Sequence, residues 1–75
     1  MRMTLEKLRP GETGRVRALY VTGAMRRRLR DLGLVEGTAV QCLGRSPLGD
    51  PAAYWVRGAV LALRRADSSR IEVEV

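Results

Sequence analysis

The sequence predicts a mainly β protein: a small, partly closed barrel of five strands, with one short α-helix at about residues 24–32 after the first strand. Short alternating or apolar runs recur at close spacing between turn residues, which is typical of all-β domains. Only one stretch has the period of an α-helix. A flat sheet built from 75 residues would leave unpaired edges and bury little apolar surface, so we expect the sheet to close within a single domain, residues 1–75.

The stretch before the first strand predicts either a single helical turn capped by Thr4 or a simple lead-in. Leu5 and Leu8 would pack onto the core from this stretch. Residues 9–12, Arg-Pro-Gly-Glu, predict a turn into the first strand.

The strands are predicted from the alternation of their side chains. They are residues 14–21, 38–45, 53–57, 59–64 and 70–75. The second half of the first strand is apolar on both faces, which is compatible with a bulge. Tyr54 and Trp55 point to opposite faces of the third strand, so one of them should face the core. Residues 46–51 predict a loop, because two prolines and a glycine exclude a central strand there, and residues 66–69 predict a polar turn. The other side chains expected to face inward are Val16, Ala18, Val40, Cys42, Leu61, Leu63, Ile71, Val73 and Val75.

The helix prediction rests on an apolar stripe and a stop signal. Met25, Leu29 and Leu32 recur at positions i, i+4 and i+7, which places them along one side of a helix. Gly33 lies where a helix ends in a left-handed residue, and Leu34 follows as the apolar residue of a Schellman stop. We therefore expect a short helix that packs through a narrow stripe.

Composition limits the function classes. The net charge is +6, and Lys7 is the only lysine among 14 basic residues. This balance favours nucleic acid, an anionic membrane surface or an acidic protein as partner. The single cysteine, Cys42, cannot form an internal disulfide, and no apolar run is long enough to span a bilayer. We expect a cytoplasmic protein that is not membrane-spanning, and its charge would favour the inner face of the membrane.

The residue types argue against catalysis and against a metal or cofactor site. The chain has no histidine, Cys42 is predicted to point inward, and the serines lie in turns without a neighbouring base. Asp31, Glu36, Glu72 and Glu74 could form only a weak, oxygen-rich surface site for a cation. We expect no enzyme activity, no cofactor and no metal site.

The arginines of the helix lie against its dipole. Arg26, Arg27 and Arg28 fall in the first turn, near the positive end, and Asp31 falls near the negative end. Each such placement costs about 0.3–1 kcal/mol on an exposed helix. Such a run is often only a solvated helix face. Alternatively, the arginine stems shield the core, or the guanidinium groups pair with carboxylates or phosphates of a partner.

Trp55 is a second candidate for partner contact. If Tyr54 faces the core, Trp55 faces outward beside Arg57, close to Leu43 or Val60, and tryptophan with arginine is typical of interface hot spots. The alternative is that Leu5 and Leu8 cover Trp55.

Motifs along nearly the whole chain resemble those of the ferrous iron transport protein A (FeoA) family. They are Leu-x-x-Leu-x-Pro-Gly-Glu-x-Gly-x-Val at residues 5–16, Gly-x-Met-Arg-Arg-Arg-Leu-x-Asp-Leu-Gly-Leu-x-x-Gly-Thr-x-Val at 23–40, Pro-Leu-Gly-Asp-Pro at 47–51, Tyr-x-Val-Arg-Gly at 54–58, Leu-Ala-Leu-Arg at 61–64 and Ile-x-Val at 71–73. The resemblance implies an SH3-like β-barrel and a small cytoplasmic accessory of bacterial ferrous iron uptake. It also implies a partner, the membrane-embedded FeoB permease, whose cytosolic part carries a GTPase domain.

The resulting hypothesis is a regulatory module that docks on the cytosolic part of a FeoB-type permease. The residues expected to contact this partner are Met25, Arg26, Arg27, Arg28, Arg30, Leu34, Pro47, Leu48, Trp55 and Arg57. One alternative is a basic SH3-like module that binds nucleic acid, which the scarcity of aromatic residues disfavours. Another is a module that acts like the C-terminal domain of an iron-dependent repressor. Weak homo-oligomerisation through an exposed edge at residues 70–75 is also compatible with the sequence.

Overall fold

The computed structural model describes residues 1–75 and contains six strands and two helices. In chain order the elements are β1 (Arg2–Thr4), a 3₁₀ turn (Leu5–Lys7), β2 (Thr13–Leu19), α1 (Gly23–Asp31), β3 (Ala39–Arg45), β4 (Ala52–Val56), β5 (Ala59–Leu63), α2 (Arg65–Ser68) and β6 (Ile71–Glu74). All five predicted strands and the helix are confirmed. Of the two alternatives for the N-terminal stretch, a single helical turn is present, but the Thr4 side chain does not cap it. The strand count of five is wrong, because β1 spans only three residues and shows no detectable period.

The strands form one antiparallel sheet in the order β1-β6-β2-β3-β4-β5. The molecule measures 28 × 25 × 22 Å, so the sheet curls strongly around its contents. β1 and β5 are the two edges and do not pair with each other, so hydrogen bonds do not close the barrel. β6 pairs with β1 on one side and β2 on the other. The expected exposed edge at residues 70–75 is therefore wrong.

Two register shifts bend the sheet. One lies in β2 between Val16 and Ala18, earlier than the second half of the strand in which the sequence allowed a bulge, and the other lies in β3 between Cys42 and Gly44. Bulges increase local twist and help a short sheet to enclose a core.

The core is aliphatic apart from Tyr54, which faces inward. Val75, which alternation placed inside, is 40% exposed because it lies beyond the end of β6. Leu5 and Leu8 are fully buried, as predicted. The buried apolar residues are Leu5, Leu8, Val16, Val21, Leu29, Leu34, Val40, Cys42, Ala52, Tyr54, Val56, Leu61, Leu63, Ile71 and Val73.

The helix α1 packs through a narrower stripe than the sequence predicts. Leu29 is fully buried and Met25 is half-buried, but Leu32 is 43% exposed because the helix ends before it can turn inward. The predicted stop is present: the Gly33 N–H donates to the Arg30 carbonyl at 3.0 Å, and the Leu34 N–H donates to the Leu29 carbonyl at 2.8 Å. These are the two hydrogen bonds of a Schellman motif, and Gly33 has the left-handed φ of 90° that the motif needs.

The segment predicted as a polar turn at residues 66–69 contains the short helix α2 instead. An Asp50 carboxylate oxygen accepts a hydrogen bond of 2.9 Å from the Arg65 N–H, one of the amides that the helix itself leaves free. This contact ties the loop at residues 46–51 to α2. The helix therefore depends on a residue outside its own segment, which local sequence does not reveal.

Candidate interaction site

The helix α1 carries an exposed and unneutralised positive charge. Arg26, Arg27, Arg28 and Arg30 are all exposed, and none lies within 4.0 Å of a carboxylate oxygen. The pair that Arg27 and Asp31 could have formed along the helix is absent. All four ion pairs of the structure lie elsewhere, among Met1, Arg2, Arg17, Glu72 and Glu74.

A cleft of about 330 Å³ lies between α1 and β2. Arg26 and Arg30 approach it from the helix and Arg17 approaches from β2, while Leu19 and Val35 contribute apolar surface. The cleft is lined by Arg17, Ala18, Leu19, Arg26, Arg30, Leu34, Val35 and Glu36. Arg26 Nη1 donates to the Leu19 carbonyl oxygen at 2.7 Å, which holds this guanidinium across the gap. Apolar surface with guanidinium groups around it suits an acidic protein segment.

A second, fully polar pocket of about 240 Å³ adjoins the first around the start of α1. Gly23, Arg26, Arg27 and Arg30 line it. Thr22, at the N-cap position, makes no side-chain hydrogen bond, and the first turn contains no acidic residue. The free amides and the helix dipole therefore add to the positive potential of the side chains. We refer to Arg17, Arg26, Arg27 and Arg30 together as the arginine surface.

The remaining predicted contact residues do not join this surface. Met25 and Arg28 lie on the other side of α1 and line a separate groove against β5. Leu34 is 1% exposed and belongs to the core, and it lines the first cleft from below. The apolar side chain of Leu34 is the one that a Schellman motif typically packs against the preceding helix.

Arg57 lies at the tip of the β4–β5 hairpin, where its φ is 48°. Its side chain lies against Gly33: a Cβ at Gly33 would lie 2.5 Å from Arg57 Cδ. A cation at this position is favourable, because it adjoins the negative end of α1. Alternation along β4 placed Arg57 beside Trp55, whereas the turn directs it toward the end of the helix.

Trp55 is 45% exposed on the outer face of the sheet, opposite Val60 on β5. The prediction that Tyr54 and Trp55 point to opposite faces is confirmed. Leu5 and Leu8 are buried inside and do not cover Trp55.

Pro47 and Leu48 are exposed on the loop that Asp50 ties to α2, and Leu48 is 94% exposed. No cavity or hydrogen bond joins this loop to α1. The structure therefore separates the predicted contact residues into several surfaces. Arg17, which was not among the predicted contact residues, also belongs to the arginine surface. Alternation along β2 predicted that its side chain points outward. That β2 lies beside α1 is visible only in the fold.

Two titratable groups outside this surface have clearly shifted pKa values. Burial raises the pKa of Tyr54, and the neighbouring Ser68 side chain partly opposes this rise. The Tyr54 hydroxyl itself lacks a well-formed hydrogen bond. A hydrogen bond from the Met1 ammonium, and then one from Arg2, lowers the pKa of Glu74. Tyr54 lies in the core, whereas Glu74 lies 3.9 Å from Arg17, at the margin of the arginine surface.

Metal ligands do not cluster anywhere in the structure. No group of three or more His, Cys, Asp or Glu side chains is arranged to hold a metal ion. Cys42 is buried, and Glu72 and Glu74 form ion pairs with Arg2. Neither α1 nor α2 has the length and apolar character needed to cross a membrane.

The sequence and the fold of this chain match known proteins. The FeoA domain model matches residues 3–75. A Porphyromonas gingivalis protein, described as a fusion of Fe(2+) transport protein A with the Fe(2+) transporter FeoB, is 32% identical over 73 residues; the match covers 97% of this chain and 9% of the fusion protein.

Two solved structures are similar throughout. The FeoA protein of Chlorobium tepidum superposes with a TM-score of 0.93 at 38% identity, covering 97% of this chain and 70% of that one. Stenotrophomonas maltophilia FeoA, solved in complex with zinc and described as an SH3 domain protein, has a TM-score of 0.79 at 33% identity, with 96% and 89% coverage. The expected SH3-like fold is confirmed, with a sixth strand added and without hydrogen-bonded closure.

Proposed function

Because this chain belongs to the FeoA family, which serves ferrous iron transport, we propose that it is a small accessory protein that docks on the cytosolic region of a FeoB-type iron permease. The proposal places the chain in the cytoplasm, at the inner face of the membrane when docked. Iron is then the cargo of the permease, and this chain contributes an interaction surface.

The observation that carries the proposal is the arginine surface. Arg27 and Arg30 form neither an ion pair nor a side-chain hydrogen bond within the chain; Arg30 borders both pockets and Arg27 borders the second. Because α1 begins at Gly23, Arg27 lies in the middle of the helix, and Arg28 and Arg30 lie in its last turn, where a cation is favourable. The expectation that Arg28 lies in the first turn, against the dipole, is therefore wrong. Arg27 and Arg30 are available to a partner because no carboxylate of the chain pairs with them. An acidic partner surface gives the charge a use, since guanidinium groups form bidentate pairs with carboxylates.

The fusion protein of Porphyromonas gingivalis supports the identity of the partner. In that protein a segment 32% identical to this chain is described as joined to FeoB. Covalent linkage raises the effective concentration of one module at the other, which is useful when the two modules interact. Docking alters transport only if this chain binds one conformational state of the permease more tightly than another.

Charge reversal at two positions tests the proposal. Arg27→Glu together with Arg30→Glu removes two guanidinium groups without breaking any internal contact. We expect affinity for the purified cytosolic region of the permease, measured by isothermal titration calorimetry, to fall at least about tenfold.

The matched control is Lys7→Glu together with Arg9→Glu, which changes the net charge by the same amount on exposed residues of the N-terminal stretch. This control should bind nearly as well as the unmodified chain. Equal losses in the two double variants would show that only bulk charge matters, and unchanged affinity in the first would contradict the role of the arginine surface.

A further inference from the structure

The strand β5 has one side open to solvent. It pairs only with β4, through the two-residue turn Arg57-Gly58, and Val56 is opposite Ala59. In such a hairpin Val56 and Ala59 share hydrogen bonds, so Val60 and Ala62 direct their N–H and C=O groups away from β4. No turn or loop hydrogen bond uses a backbone group of β5. The edge therefore offers an unused row of donors and acceptors.

This edge lacks the features that usually prevent strand addition. The strand Ala-Val-Leu-Ala-Leu has no charged residue, no proline and no register shift. The opposite edge, β1, spans three residues, and its Arg2 pairs with Glu72 and Glu74. Long, apolar, unprotected edges are those at which extended segments add to sheets.

Both faces beside the open edge are apolar, as an added strand requires. On the outer face, Val60 is 63% exposed and Trp55 is 45% exposed. On the other face, a groove of about 170 Å³ separates β5 from α1, with Met25 and Leu29 contributing from the helix. The groove is lined by Met25, Arg28, Leu29, Leu61, Ala62, Leu63, Arg64 and Asp67. Because side chains alternate along a strand, an added segment would place its residues alternately on these two surfaces.

The charged residues around the β5 edge favour an acidic partner segment. Arg57 precedes β5, Arg64 follows it, and Arg28 borders the groove; Asp67 is the one carboxylate in the lining. A second copy paired antiparallel about Leu61 would bring the basic ends of the two strands, near Arg57 and Arg64, close to each other, and neighbouring like charges are unfavourable. A segment with carboxylates at its ends would instead pair with these guanidinium groups.

We propose that β5 is a strand-addition site for an extended segment of a partner protein, with apolar residues at alternate positions and carboxylates at its ends. The site lies on a different element from Arg27 and Arg30. The docking proposal and this one can therefore fail separately.

The test uses the full chain and a synthetic peptide, EEVTVTVEE, followed by amide NMR and hydrogen exchange. Binding should slow exchange of the Val60 and Ala62 amides and change the fluorescence of Trp55. The peptide KKVTVTVKK, with the same centre and opposite ends, should bind at least about tenfold more weakly. Perturbations confined to the arginine surface, or equal affinity for both peptides, would overturn the proposal.

Substitution of Ala62 supplies the matched variants. Ala62→Pro removes one outward N–H at an edge position that tolerates proline, whereas Ala62→Thr keeps it. The proline variant should lose about tenfold in affinity for EEVTVTVEE and the threonine variant should not. Equal affinities would contradict strand addition. If the proline variant does not fold, the exchange rates in the unmodified chain decide the question, and dimers in sedimentation experiments without peptide would identify a second copy as the occupant.

Discussion

The two ends of the sheet use arginine in opposite ways. At the β1 end, Arg2 lies 3.2 Å from a Glu74 oxygen and 3.7 Å from a Glu72 oxygen, and the Met1 ammonium lies 2.7 Å from Glu74. At the β5 end, Arg28 borders the groove beside β5 and, like the other arginines of α1, has no carboxylate within ion-pair distance. Arginine thus forms ion pairs beside the short edge strand β1, whereas beside the apolar edge strand β5 it remains unpaired.

Arginine content alone therefore does not identify a binding surface. Charges that are paired inside the molecule stabilise it slightly, whereas exposed guanidinium groups without a carboxylate partner do not add such a contribution. Only the second group is free to pair with a partner. The following experiments test whether the two ends differ in this way.

The largest effect is expected from releasing α1 at the β5 end. Leu29→Ala deletes a fully buried side chain and should lower the free energy of unfolding by about 2–5 kcal/mol. Leu32→Ala, on the same helix but 43% exposed, should cost about 1 kcal/mol or less. Urea denaturation measures both, and equal costs would show that α1 is not held through Leu29.

The next effect concerns the contact between the helix stop and the β4–β5 hairpin. Gly33→Ala places a Cβ 2.5 Å from Arg57 Cδ at a φ of 90°, whereas Gly37→Ala has a φ of 91° and no atom within 4 Å. Backbone strain should cost each variant about 1 kcal/mol, with a further loss only in Gly33→Ala. Thermal unfolding in an Arg57→Ala background should remove that further loss; if it persists, the Arg57 contact is not its cause.

A pair of charge reversals compares the β1 end with α1. Arg2→Glu loses two exposed ion pairs and should lower stability by up to about 1 kcal/mol. Arg27→Glu replaces an exposed residue in the middle of α1 that has no ion pair, and should change stability by about 0.5 kcal/mol or less. Because both variants change the net charge equally, equal losses would contradict the contrast.

The smallest effect is the pH dependence of the β1 end. The folded pKa of Glu74 lies below its ordinary range because the Met1 ammonium, and then Arg2, donate hydrogen bonds to the carboxylate. Its contribution to stability is therefore complete above the pKa of an unfolded glutamate, about 4.3, and is lost as the pH falls through the lower folded value.

Glu74→Gln should consequently weaken the fall in melting temperature below about pH 4.3. Glu36→Gln removes an exposed carboxylate without an ion pair and should leave the pH profile unchanged. Identical profiles for the two variants would show that Glu74 does not contribute.

Local patterns predicted most of the fold. The strands and the stop at Gly33 and Leu34 were predictable, because period-2 alternation and left-handed glycine geometry are properties of neighbouring residues. The position of the bulge in β2 was not, since it interrupts the stretch in which Val16 and Ala18 were expected to alternate regularly. The strand β1 was not, since three residues carry no period and this strand exists only through its pairing with β6. The helix α2 was missed because Asp50, fifteen residues earlier in the chain, caps it.

The candidate site was less predictable than the fold. The residues alone indicated a basic, mainly β domain with an arginine-rich helix, and the resemblance to the FeoA family added the SH3-like fold. The pairing of the arginines, the burial of Leu34, the approach of Arg17 to α1 and the contact of Arg57 with Gly33 emerged only from the folded structure. Ion pairs, edges and clefts depend on which elements become neighbours, and this depends on contacts between residues far apart in the chain.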